Sequence, residues 1–148
     1  MTYLELARQL GEINKEILKI SEYREIVEVN RGEGVVLSYL VHHNDEATPV
    51  QLSQALEVST ARIAALLNKM ERKKLVVRQR HPDNNRNTIV KLLPDGKKLH
   101  EKQESVFNQC TVRFFESLGE EKAALFVELQ REMVDFLLKN QMGGTGHE

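Results

Sequence analysis

Residues 76–92 read VVRQRHPDNNRNTIVKL. Two short β-prone runs, Leu75–Arg80 and Asn87–Leu92, flank a polar tip, His81–Arg86, that carries no bulky apolar side chain. Strands this short do not persist alone in water. The ribbon must therefore lean on a folded body, and its cations Arg78, Arg80, Arg86 and Lys91 raise the question of what it faces.

The segment just before it supplies the body. Thr48-Pro49-Val50-Gln51 is a helix start: Thr48 accepts from free backbone N–H groups, Pro49 occupies the first position where a missing N–H costs nothing, and Gln51 stands at the capping-box position. Leu52, Ala55 and Leu56 give this short helix a narrow apolar stripe. After Glu57-Val58, Ser59 caps a longer helix, TARIAALLNKMERK, with Ile63, Leu66, Leu67 and Met70 inward. A short and a longer capped helix joined by a tight turn make a helix-turn-helix. The basic ribbon directly afterwards makes it a winged helix. A helix fits the major groove of DNA, and a ribbon tip can reach backbone and minor groove.

With that inward stripe, Thr60, Ala61, Arg62, Ala64, Ala65, Asn68 and Lys69 face out. Small residues let the helix sit deep, and alanine can touch a thymine methyl. Arg62 is the candidate for a guanine, to which arginine makes two hydrogen bonds. Lys69, Arg72 and Lys73 suit phosphates, and Arg86 at the wing tip suits the minor groove. The expected DNA-binding set is Ser59, Thr60, Ala61, Arg62, Ala64, Ala65, Asn68, Lys69, Arg72, Lys73, Arg80, Asn84, Asn85 and Arg86. The competing role for Arg62 is a solvated charge or an ion pair with Glu57.

Charge is unevenly spread. The net charge of the 148-residue chain is −1, yet Arg62–Lys102 holds twelve cations against four anions, and the remainder holds nine against eighteen. A basic middle between acidic flanks binds a polyanion locally while the rest stays soluble. No apolar run approaches the roughly 20 residues that cross a bilayer, and the start is not a secretory signal. The single cysteine, Cys110, has no internal partner. A reducing cytoplasm is the expected location.

Outside the basic middle, apolar residues recur at helical spacing. Leu6, Leu10, Ile13, Ile17 and Ile20 predict one long amphipathic helix, broken at Asn30-Arg31-Gly32. Val36, Leu37, Leu40 and Val41 mark a short second helix ending at Asn44-Asp45-Glu46. Pro94 opens a fifth helix with Leu99, Val106, Cys110 and Phe114 on one face. After Ser117-Leu118-Gly119, a sixth, about Glu120 to Gln141, carries Leu125, Phe126, Leu129, Met133, Phe136 and Leu137. A winged helix of roughly 65 residues is too small to cover all these faces, so a second copy is the economical cover.

The stretch LSQALEVSTARIAALLNKMERKKLVVRQRHPDNNRNTIVKLLPDGKKL, with Leu92-Leu93-Pro94-Asp95-Gly96 as the turn after the ribbon, resembles the MarR (multiple antibiotic resistance regulator) family of winged-helix transcription factors. The resemblance spans nearly the whole chain. It implies a mainly α fold with a small β-wing: one MarR-like domain over 1–148, a winged helix-turn-helix core at about 32–96, long dimerisation helices at about 2–29 and 97–141, and a flexible tail at 142–148. It further implies a homodimer on palindromic double-stranded DNA and release by a small-molecule effector. The chain departs from the family pattern at several points. Lys74 replaces the usual glycine before the wing, which requires Lys74 in the left-handed region. Asn84-Asn85-Arg86 replaces aspartate-x-arginine. Ala65 replaces a common basic residue, and Leu93 replaces a capping threonine.

No phosphate-cradling glycine loop, nucleophile elbow or H-E-x-x-H pattern is present, so no catalytic residue, cofactor or metal is expected. His42-His43 near Asp45 and Glu46 would be a metal candidate, but adjacent histidines diverge on a helix, and solvated or capping roles fit better. Cys110, on an apolar stripe, is expected to be a buried inert thiol. The rival reading is a winged-helix module that binds an acidic protein rather than specific DNA. It would call for an exposed aromatic or aliphatic anchor on the outer helix face, and none stands there.

Overall fold

The protein is described by a computed structural model covering residues 1–28 and 31–141, with side chains throughout except at Glu25, Glu28, Asn84, Asn85, Arg86 and Gln141. Of the expected break at Asn30-Arg31-Gly32, Asn30 lies outside the described residues, as does the tail 142–148, while Arg31 and Gly32 are non-helical and lead into the next helix. The elements are α1 (Tyr3–Ile17), α2 (Ser21–Glu28), α3 (Glu33–His42), β1 (Glu46–Ala47), α4 (Pro49–Leu56), α5 (Thr60–Arg72), β2 (Val76–His81), β3 (Asn84–Leu92), α6 (Pro94–Leu118) and α7 (Glu120–Gln141). The chain is mostly helical with one small antiparallel sheet, and it divides into two compact units, Met1–Val106 and Phe107–Glu148.

In the first unit the core gathers from every element of the helix-turn-helix. Val36, Leu37 and Leu40 of α3, Leu52 of α4, Ile63, Leu67 and Met70 of α5, and Val76 and Val90 of the sheet have almost no exposed surface. Each such side chain stabilises the fold by about 1.5–3 kcal/mol relative to exposure. The inward stripe expected for α5 is therefore the observed one, with Leu66 half-buried at its edge. Ala55 departs from expectation and is exposed. The buried line of α4 runs through Leu52 and Leu56, one helical turn apart, and Ala55 is turned off it.

The N-terminal segment corrects the sequence reading: one long helix was expected, and there are two. α1 starts with the Thr2–Glu5 capping box and ends at Leu18. The N–H groups of Lys19 and Ile20 reach back only three residues, to Glu16 and Ile17 at 3.0 and 3.1 Å, a tightening that closes a helix. α2 restarts at Ser21, with the Ile20 carbonyl accepting from Arg24. Leu6, Leu10 and Ile13 of α1 remain about half exposed.

The sheet also has a third strand that the sequence did not announce. The order is β1-β3-β2, with Glu46 opposite Lys91 and Ala47 opposite Val90. Asn44 and Asp45, both at positive φ, swing the chain from α3 into β1, a conformation their short polar side chains tolerate. The wing turn is tighter than expected. β2 extends through His81 and β3 starts at Asn84, with a register shift between Arg80 and His81. At the start of α6, a Cβ on Gly96 would overlap the Leu75 carbonyl oxygen and the Leu92 side chain, so only glycine lets that helix approach the base of the wing.

In the second unit, α6 runs on to Leu118 and Gly119, at φ +81°, turns the chain into α7. Phe114, Phe115 and Phe126 meet there with ring centroids 5.6–6.1 Å apart. Most other large apolar residues of this unit are exposed, among them Leu129, Met133, Phe136 and Leu137. Cys110 is exposed too, contrary to the expected buried thiol. On the same helix Val112 is also about half exposed, and Phe114 keeps part of its ring open beside Phe126.

Candidate nucleic-acid interface

The geometry of α5 is set from both ends. At its start, Glu57 adopts the left-handed conformation (φ 52°), and Val58 N–H bonds the Ser53 carbonyl at 3.1 Å. The Ser53 hydroxyl donates to the Val58 carbonyl at 2.6 Å, which tightens the turn between α4 and α5. Ser59 Oγ then accepts from Arg62 N–H at 3.2 Å and caps α5. The capping box of α4 is complete, with Thr48 and Gln51 each accepting from the other's backbone N–H.

At the other end, Lys74 is left-handed (φ 59°), as its replacement of glycine required. Lys74 N–H bonds the Glu71 carbonyl and Leu75 N–H bonds the Met70 carbonyl, the paired bonds of a Schellman motif. The chain leaves this motif directly into β2.

Thr60, Ala61, Arg62, Ala64, Ala65, Asn68, Lys69, Arg72 and Lys73 are all exposed on the outer face of α5, with Ser59 exposed at its head. No large apolar side chain lies on that face. Among the described residues Arg62 has no ion pair, so the alternative pairing with Glu57 does not occur. Arg80 is exposed on β2, opposite Thr88 of β3. Asn84, Asn85 and Arg86 lie on β3, and their side chains are outside the described set.

Three of the outward polar residues already have protein partners that the sequence did not reveal. Lys73 Nζ donates to both carboxylate oxygens of Glu33 at 2.9 and 3.0 Å, and Lys69 Nζ lies 3.5 Å from the same group. Asn68 Oδ1 accepts from the Arg78 guanidinium. That guanidinium and the Arg78 backbone N–H each donate to Glu71, at 2.9 and 2.8 Å. The guanidinium hydrogen bond holds the Glu71 carboxyl below its ordinary pKa, against the opposing effect of partial burial. Arg78 thus ties α5 to the wing rather than facing outward. The seven-residue separation of Glu71 and Arg78 spans a helix end and a strand, so no single-element periodicity flags it. Glu33 is forty residues from Lys73 and left no local signal.

Two histidines bond within their own helix. Nδ1 of His42 and of His43 lies 2.7 Å from the carbonyl four residues earlier, and the His43 ring stacks on Tyr39 at 3.8 Å. Both close the C-terminal turn of α3. Together with His81 and Glu46 they border an open cleft of about 410 Å³. Among the described residues no three His, Cys, Asp or Glu side chains are placed to hold a metal ion, and no helix is long and apolar enough to cross a membrane.

Comparisons with known proteins agree with this geometry. Residues 35–110 match the family described as "winged helix DNA-binding domain". An uncharacterized HTH-type transcriptional regulator, YdgJ of Bacillus subtilis strain 168, is 26% identical over 129 residues, covering 87% of this chain and 77% of that protein. Among solved structures, MepR, a transcription regulator of the Staphylococcus aureus multidrug efflux pump MepA, is 25% identical with a TM-score of 0.66, covering 93% of this chain and 99% of its own. A MepR variant bound to an oligodeoxyribonucleotide matches over the same shares at 25% identity and a TM-score of 0.60. The chain belongs to the winged helix DNA-binding domain family and is a transcriptional regulator of the MarR type.

Proposed function

We propose that two copies of this chain bind a palindromic operator in duplex DNA as a repressor, each laying α5 in a major groove and its wing along the adjacent backbone. One observation carries the reading: the outer face of α5 is exposed and consists only of small, polar and cationic side chains, between two firmly capped ends. A groove accepts such a surface, whereas a protein partner would need an apolar anchor. Arg62 reads a base, Lys69, Arg72, Lys73 and Arg80 meet phosphates, and Arg86 with Asn84 and Asn85 meets the minor-groove side. The pairing of copies is supported by the uncovered apolar faces of α1 and α7. A small-molecule effector releases the DNA by favouring a spacing of the two α5 helices that no longer fits both half-sites, which requires that it bind the two arrangements unequally. The regulator acts in the cytoplasm, where its DNA is.

Selection of bound sequences from random duplex DNA tests this. The expected product is an inverted repeat whose half-sites are about 10–10.5 base pairs, or a multiple, apart. Recovery of unrelated sequences, or of single half-sites, would count against it.

A further inference from the structure

Glu33 lies in the first turn of α3, where the helix dipole favours a carboxylate. It faces two ammonium groups of another helix, Lys73 in direct contact and Lys69 at 3.5 Å. Its side chain is 19% exposed, whereas those of Lys69 and Lys73 are 58% and 49% exposed. One sheltered anion therefore holds two open cations, Lys69 on the last turn of α5 and Lys73 at its C-cap. Arg72, between them in sequence, has no ion pair among the described residues.

We propose that Glu33 is an internal competitor of the DNA backbone, occupying Lys69 and Lys73 in the free protein and so limiting the sequence-independent part of DNA affinity. The inference rests on the reading of α5 as the groove helix. Lysine carries its charge on a flexible four-carbon stem and can swing from the carboxylate to a phosphate. Glu33, short and tied to the start of α3, cannot follow. Each lysine that reaches DNA thus first gives up a protein anion, and Glu33 is left with weaker pairing in the complex. That cost is the same for every DNA sequence, because phosphates are the same everywhere. Glu33 then sets how tightly the protein holds DNA in general, while Arg62 sets which DNA it holds. Glu71 has a different part, since its arginine comes from β2 and its bonds fasten helix to wing.

The test compares the full chain with Glu33→Gln, with Lys69→Ala/Lys73→Ala, and with the triple variant, on a random-sequence duplex over a range of salt. Glu33→Gln should bind roughly 3- to 10-fold more tightly at low salt, with a steeper salt dependence. The same gain should appear on a selected sequence. In the double-alanine background the replacement should change affinity by less than about twofold, because the interaction it relieves is gone. Glu33→Asp, which keeps the charge and shortens its reach, should fall between wild type and Glu33→Gln. Equal or weaker binding by Glu33→Gln overturns the proposal, as does an undiminished gain in the double-alanine background. If the double-alanine variant itself binds like wild type, the reading of this end of α5 fails first and the proposal falls with it.

Discussion

Helices α5 and α7 are both rich in apolar residues, yet they present opposite surfaces. On α5, Ile63, Leu67 and Met70 are sealed in the core of their unit, and the face left open is small, polar and cationic. On α7, Leu125, Leu129, Met133, Phe136 and Leu137 are 49–65% exposed in the single chain. The first helix has its apolar demand met locally and offers water a surface suited to a polyanion. The second leaves its apolar demand open in the single chain, and this is the surface that the proposed pairing of copies would cover. One chain therefore carries two kinds of unfinished interface, one electrostatic and one hydrophobic.

The largest expected effect probes the hydrophobic half of that contrast. Leu67→Ala should cost about 2–5 kcal/mol in denaturant unfolding, since it leaves a cavity in a closed core. That loss should be the same at every protein concentration. Leu129→Ala should also destabilise, but its loss should fade as the protein is diluted below the concentration at which copies pair. A Leu129 effect independent of concentration would show that the α7 face is covered from within the chain.

A smaller effect probes the electrostatic half. Arg62→Ala should weaken specific binding by about 1–3 kcal/mol and relax one base position, whereas Lys73→Ala should weaken all sequences alike. Competition binding on selected and random duplexes distinguishes the two. An unchanged ratio of specific to non-specific affinity in Arg62→Ala would refute its role in reading a base.

The smallest effect concerns the joint between α5 and the wing. The Glu71 carboxyl is held below its ordinary pKa by the Arg78 guanidinium, so the unfolded state takes up that proton more readily than the folded one. Its stabilising contribution is complete at neutral pH and is lost as pH falls through the depressed folded-state value. Glu71→Gln should therefore lower stability at neutral pH, and the gap to wild type should close in acid. A gap that stays constant with pH would mean that the ionised pair contributes nothing.

The helix-turn-helix was legible because its signals are local. Caps at Thr48 and Ser59 stand within three residues of the groups they serve, and the Ile63–Met70 stripe repeats with the helix period. The demand on Lys74 for a left-handed backbone was equally local. What escaped was either too short or too distant. β1 is two residues long and alternates too briefly to be noticed. The break at Leu18–Ile20 lies inside an unbroken apolar rhythm. The pairing of Glu33 with Lys69 and Lys73, and of Glu71 with Arg78, exists only once separate elements meet. The expected burial of Cys110 failed because an apolar stripe states that a face needs cover without stating that its own chain provides it.

The central claim is that paired chains present their cationic helices together to one duplex. Sedimentation equilibrium, without and with a duplex carrying the selected repeat, tests it most directly. The account predicts a free particle of two chains and a complex of two chains per duplex that dissociates as salt rises. A free single chain that forms no complex with duplex even at low ionic strength would contradict it.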